Sequence, residues 1–196
     1  MLPPKEYLEN GIQLSYPKDG LAGGTWIGLS EKKRIVCLLN SWFVMHTRKT
    51  PYKMSSGVIV KKILLEKDVV SFIPIFNFMG IEPFTLVLVA WLKNLKTCEF
   101  VWDGTLTHFK ELPKEPKICS SSILYTEAMR ALRKGWFVDW LFDKHQLSQK
   151  KILEFHRNKN LGIKETSAKM KRAFAETVRI TSLKKKIKSE QWCMNT

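Results

Sequence analysis

The stretch from Phe84 to Phe109 constrains the fold of this chain most. It holds three apolar runs, Phe84–Trp91, Thr97–Trp102 and Leu106–Phe109, separated by the polar turn Lys93–Lys96 and by Asp103-Gly104. An Asp-Gly pair between apolar runs is a strong hairpin signal, because both turn positions tolerate positive φ. The segment therefore reads as a three-stranded antiparallel meander. A second hairpin is predicted upstream, with Thr25–Leu29 and Arg34–Leu39 as strands around the polar turn Ser30–Lys33. Antiparallel hairpins interrupted by helices define an α+β protein.

The helices have local signals of their own. Ser55 or Ser56 is a candidate cap for a helix running to Leu65, with Val58, Ile59, Ile63 and Leu65 as its apolar face. Asp68 precedes a short helix over Val69–Phe76. The segment from Thr126 to Phe142 repeats Ala128, Leu132, Trp136 and Trp140 at four-residue spacing, a helical core stripe. Ser120–Ser122 lie ahead of it and read as capping residues, and Gln146–His156 reads as a further helix. Three segments stand out as irregular, namely residues 41–53, 111–122 and 157–170. Residues 1–23 are punctuated by Pro3, Pro4, Pro17, Gly11, Gly20 and Gly23 and read as loop, with a short extended piece at Ile12–Tyr16. Phe174–Leu183 reads as a late strand.

Composition narrows the classes of function. The chain has 196 residues, 44% of them hydrophobic, enough for a real core without disulfides or metals. Its net charge is +15, and residues 143–196 hold 14 Lys and Arg against 5 acidic residues. That basic part ends in the Lys184–Lys188 run and suggests an acidic partner without naming one. A solvated surface is the simpler reading of the run. Nucleic-acid binding by the basic part is kept as an alternative rather than as the expected function. The longest apolar run, Phe84–Leu92, is about half of what a membrane span needs, and Met1–Tyr7 has no apolar leader core. Cys37, Cys98, Cys119 and Cys193 form no CxxC pair, and His46, His108, His145 and His156 show no paired i, i+4 spacing. No metal site or cofactor is expected. Free thiols fit a reducing, cytoplasmic setting.

The Gly23-Gly24-Thr25-Trp26-Ile27-Gly28 segment is more specific in context than alone. It is followed in order by Cys37-Leu38-Leu39-Asn40, Arg48-Lys49 with Tyr52, and Ser55 with Gly57. Gly80-Ile81-Glu82-Pro83-Phe84-Thr85, Trp102-Asp103-Gly104, Ser120-Ser121-Ser122 with Leu124-Tyr125, and Arg133 with Trp136-Phe137 come next. This series resembles the NRDE family, also called the transport and Golgi organisation 2 family, in its bacterial branch. The resemblance covers residues 1 to about 142 and fades in the basic part. It implies one domain over 1–196 with an Ntn-hydrolase-like αββα sandwich, two stacked antiparallel sheets between helix layers.

Family members open with Met-Cys, a strand and the Asn-Arg-Asp-Glu motif. Here Met1-Leu2 falls just downstream of where that motif should end, so the chain reads as an N-terminally truncated member. An Ntn hydrolase takes its nucleophile and base from the first residue, and Leu2 supplies neither. Ser56 stands where the relatives carry Arg, and Cys119 where they carry Trp. In complete form the resemblance implies amidase-like hydrolysis of a small compound. In this form it implies a non-catalytic member that binds a small molecule, with a haem or acyl carrier as the alternative. The candidate ligand-binding residues are Gly23, Gly24, Thr25, Trp26, Asn40 and Arg48. Gly23–Trp26 also fits a tight turn into a core strand, Asn40 a strand-ending turn, and Arg48 a solvated loop charge.

Overall fold

A computed structural model describes residues 2–40, 51–121, 125–143, 147–173, 176–177, 180–185 and 192–195. The chain divides into two compact units. The first is Met1–Lys117 with Ser121–Leu124, and the second is Ile118–Ser120 with Tyr125–Thr196.

The first unit is built on one seven-stranded antiparallel sheet whose strands lie in sequence order. They are β1 (Pro4–Glu9), β2 (Ile12–Pro17), β3 (Ile27–Ser30), β4 (Arg34–Asn40), β5 (Phe84–Ala90), β6 (Lys96–Trp102) and β7 (Thr107–Leu112). Helices α1 (Ser56–Leu65) and α2 (Val69–Ile75) fall between β4 and β5, yet these two strands pair along their whole length, from Arg34 opposite Ala90 to Asn40 opposite Phe84. The mixed α+β class and the β5–β7 meander are as the sequence predicts.

The N-terminal segment differs. The extended piece expected at Ile12–Tyr16 is β2, and where loop is expected before it β1 pairs with it in a hairpin closed by Asn10 (φ 51°) and Gly11 (φ 74°), the positive-φ pair of a type I′ turn. The prolines do not break it. Pro4 and Pro17 lie opposite each other at the open end of the ladder, and β1 is an edge strand, where a missing N–H is tolerated.

Both helices start where the caps predict. The Ser55 hydroxyl accepts from Gly57 N, and the Asp68 carboxylate accepts from Val70 N and Ser71 N. The buried stripe of α1 is Ile59, Val60, Ile63 and Leu64, rotated from the expected one so that Val58 and Leu65 are only part-buried. That stripe packs with Leu14, Tyr16, Val36, Leu86 and Phe100 in one apolar cluster. On the opposite face of the sheet burial is partial, since His108 and Lys110 are exposed there. Ile35, Thr85, Val101 and Leu112, which register places on that face, are only 8%, 3%, 1% and 5% exposed.

The second unit holds α3 (Glu127–Phe142), α4 (Gln149–Arg157) and the antiparallel pair β8 (Ser182–Lys185) and β9 (Trp192–Asn195). The cap of α3 is Thr126, whose hydroxyl accepts from Met129 N, rather than a residue of Ser120–Ser122. The expected stripe is displaced too. Ala128 and Leu132 are exposed, and the residue buried in α3 is Arg133. Trp136 and Trp140 are part-buried, and Phe137 meets Phe155 of α4 edge-on while Trp140 packs against the same ring at a tilt. Among the described residues the predicted late strand is realised only from Ser182. Upstream of it lies the isolated bridge Lys171–Glu176, while Phe174, Ala175, Val178 and Arg179 are outside the described residues.

Candidate functional site

The Gly23–Trp26 segment is a seam between a loop, the sheet and α1. The Asp19 carboxylate accepts from Leu21 N (2.9 Å) and Ala22 N (3.1 Å). Gly23 N donates to Asp19 O, and Asp19 N donates to Gly24 O, which closes the loop. Gly23 has φ +67°. Gly24 lies against Gly57 in the first turn of α1, so tightly that a Cβ at position 24 would fall 2.5 Å from the Gly57 carbonyl carbon. Thr25 N donates to Gly57 O at 3.0 Å, and its buried hydroxyl donates to Ile27 O at 2.8 Å. Trp26 is part-buried, and its carbonyl accepts from Leu38 N at 2.7 Å, carrying the β3–β4 ladder one step further.

Asn40 ends β4 opposite Phe84, so Trp26 and Asn40 sit at the same end of the sheet. The Asn40 side chain and all of Arg48 lie outside the described residues, as do Lys49, His46, His145, Lys186 and Lys188. His108 pairs with Asp103 at 2.8 Å on the exposed β6–β7 turn. Among the described residues, no group of three His, Cys, Asp or Glu side chains is placed to hold a metal ion, and no helix is long and apolar enough to cross a membrane.

Beside Gly23 lies an ionisable cluster that the sequence reading does not single out. The Glu9 carboxylate accepts from the Tyr16 hydroxyl and pairs with Lys61 Nζ at 2.8 Å. Lys61 also donates to Gly23 O at 3.4 Å and lies 5.4 Å from the centre of the Tyr16 ring. The cluster ties the β1–β2 hairpin to α1. Burial pushes the Glu9 carboxyl up, but hydrogen bonds from Lys61 and Tyr16 outweigh it and leave its pKa below the ordinary value. A carboxyl with a lowered folded pKa stabilises the protein above its unfolded pKa, and that contribution is lost as pH falls through the folded one. Glu9→Gln is therefore expected to lower stability by about 1–2 kcal/mol at pH 7. The gap should close towards pH 3 in urea titrations. An equal deficit at both pH values would contradict this.

At the other end of the sheet is an apolar cavity of about 210 Å³. Leu88 and Ala90 of β5, Cys98 of β6 and Phe109 of β7 floor it, and Val69 and Val70 of α2 form a wall. Burial raises the Cys98 pKa, with Glu111 adding to it, so this group is a protonated thiol at neutral pH. The rim carries Lys32, Arg34, Lys67 and Lys96 against the single carboxylate of Asp68. Several of these are already engaged. Lys32 Nζ donates to Leu65 O (2.9 Å), and Arg34 donates to Ile63 O (3.1 Å) and Lys67 O (3.0 Å), so both satisfy carbonyls where α1 ends. Asp68 is held by Ser71 and caps α2. Lys96 pairs with Glu111 at 2.8 Å on the surface. The Lys67 ammonium is without a hydrogen bond or ion pair among the described residues.

β4 runs from Arg34 at this end to Asn40 at the other, about 20 Å at the rise of a strand. The cavity and the Gly23–Trp26 seam are thus separate places. The cavity's lining comes from β5, β6, β7, α2 and the β3–β4 turn, and no single stretch of sequence carries a signal for it. Neither protein-family models nor curated proteins give a match to the sequence.

Proposed function

We propose that this chain is a carrier of a small acyl compound, built on an NRDE-type, Ntn-hydrolase-like scaffold. The observation that carries the reading is the first unit's apolar cavity with its cationic rim. An acyl chain fills the floor of Leu88, Ala90, Cys98 and Phe109, and its anionic head meets Lys67. At about 210 Å³ the cavity lies below the usual range for drug-sized ligands, which suits a short chain and not a haem. Among the described residues no histidine lines it, so a haem would find no imidazole ligand there. The sandwich reading draws support from the sheet itself. One face packs against α1, and β5 presents Val87 and Val89 beside buried Thr85 on the other, so the central strand carries apolar side chains towards both faces as a layered architecture requires.

Titration calorimetry with straight-chain carboxylates of increasing length tests the carrier reading. Affinity is expected to rise about fourfold per methylene until the cavity is full, then level off. Leu88→Trp, which narrows the cavity, should weaken binding and shorten the chain length at which affinity levels off, while the fold is retained. Lys67→Glu should weaken carboxylates and leave the corresponding alcohols unaffected. Binding that ignores chain length, or that is unchanged by Leu88→Trp, would overturn the proposal.

A further inference from the structure

We propose that the second unit carries a binding site for a small oxyanion, a carboxylate or a phosphate, at the open Nε edge of Arg133. Arg133 projects from the middle of α3 and is 8% exposed. Its Nη1 donates to the carbonyls of Thr166 (3.2 Å) and Ser167 (2.7 Å), which fixes the plane of the guanidinium. That plane sits 4.5 Å from the centre of the Tyr125 ring. A second guanidinium, Arg172, lies 5.2 Å from the same ring and donates through Nε to Glu165 O at 2.8 Å. Two arginines thus share one aromatic ring. Among the described residues the groups that act electrostatically on Arg133 are the Tyr125 phenol and the Arg172 guanidinium, and neither is a carboxylate.

The Arg133 Nε–H is buried and has no acceptor among the described residues. Buried charges are ordinarily paired, and a buried donor without a partner is costly. With Nη1 committed, Nε and Nη2 form the side-on fork that matches two oxygens of a carboxylate or phosphate. An oxyanion there satisfies the orphaned donor and offsets the buried charge of Arg133. Burial lowers the Arg133 pKa, and the charge of Arg172 lowers it further.

His156 on α4 gives the site a built-in reporter. Its pKa is lowered first by burial and then by the charge of Arg133. An anion seated on Arg133 cancels part of that charge and raises the His156 pKa. The experiment follows the His156 ring proton by NMR in the whole chain, titrating inorganic phosphate and, separately, acetate, at ionic strength held constant with chloride. A saturable shift is expected with at least one anion, and the stronger arm identifies the oxyanion class. Arg133→Lys keeps the charge and loses the fork. It should bind at least tenfold more weakly with its circular dichroism unchanged. Two results would overturn the site: a wild-type chain that shows no saturable response to either anion, or an Arg133→Lys variant that responds with unchanged affinity. The first reading is taken on the wild-type chain and stands whether or not the variant folds.

Discussion

Gly24→Ala is expected to destabilise the first unit by about 3 kcal/mol, the upper end for overpacking. The added Cβ would fall 2.5 Å from the Gly57 carbonyl carbon and 2.8 Å from Val58 N, and both of these are backbone atoms of α1. Neither can rotate away. Relief requires α1 to lift from the loop, which breaks the 3.0 Å bond from Thr25 N to Gly57 O. Two neighbouring glycines serve as controls. At Gly28 a Cβ meets Leu64 Cδ1 at 2.4 Å, the far end of a side chain that can change rotamer, so Gly28→Ala should cost only about 1–2 kcal/mol. Gly23 has open space and φ +67°, so Gly23→Ala should cost about 1 kcal/mol of backbone strain. Urea unfolding of the three variants gives the order. If Gly24 serves a ligand and not the seam, Gly24→Ala will unfold with the wild type and lose only binding. A midpoint equal to that of the wild type would therefore remove the packing account.

What could be read from the sequence follows the range of the interactions involved. Ser55 and Asp68 announce α1 and α2 because a cap acts within three residues, and Asp103-Gly104 announces the β6–β7 turn for the same reason. The β1–β2 hairpin is equally local, and its Asn10-Gly11 pair is a strong signal. It is masked when Pro4 and Pro17 are counted as breakers without asking whether they lie at ladder ends. The face of α3 could not be read this way. Apolar identity picks Ala128 and Leu132, whereas the buried position is Arg133, made tolerable by carbonyls at Thr166 and Ser167, more than thirty residues away. The cavity is further still from local signals, since it depends on the register that sets Leu88 opposite Cys98 and on where α2 is laid beside them. Of the candidate site, Gly23–Trp26 and Asn40 do share one end of the sheet, as ladder positions one would place together from the hairpin alone.

Phe78→Ala is expected to cost about 3–5 kcal/mol, the range for a large buried aromatic. Phe78 is 3% exposed and lies in the turn between α2 and β5, where periodicity gives it no prominence. Its ring centre is 4.7 Å from that of Phe76, 5.2 Å from Phe100, 5.8 Å from Trp102 and 6.0 Å from Phe84. The space left by truncation cannot close easily, because Phe84, Phe100 and Trp102 are fixed on paired strands and Trp102 Nε1 is also bonded to Ile81 O at 3.0 Å. The loss should reach the cavity at the far end of the sheet. Helix α2 has seven residues with Pro74 inside it, so hydrogen bonding alone holds it weakly and it relies on packing. Val69 and Val70 at its start wall the cavity. Phe78→Ala should therefore weaken acyl binding along with stability, and Phe78→Leu should recover part of both. Leu88→Trp is the complementary case, weakening binding by narrowing the cavity while the aromatic cluster around Phe78 is left intact. If Phe78→Ala lost stability but bound short-chain carboxylates as tightly as the wild type, the cavity wall would not depend on this aromatic cluster.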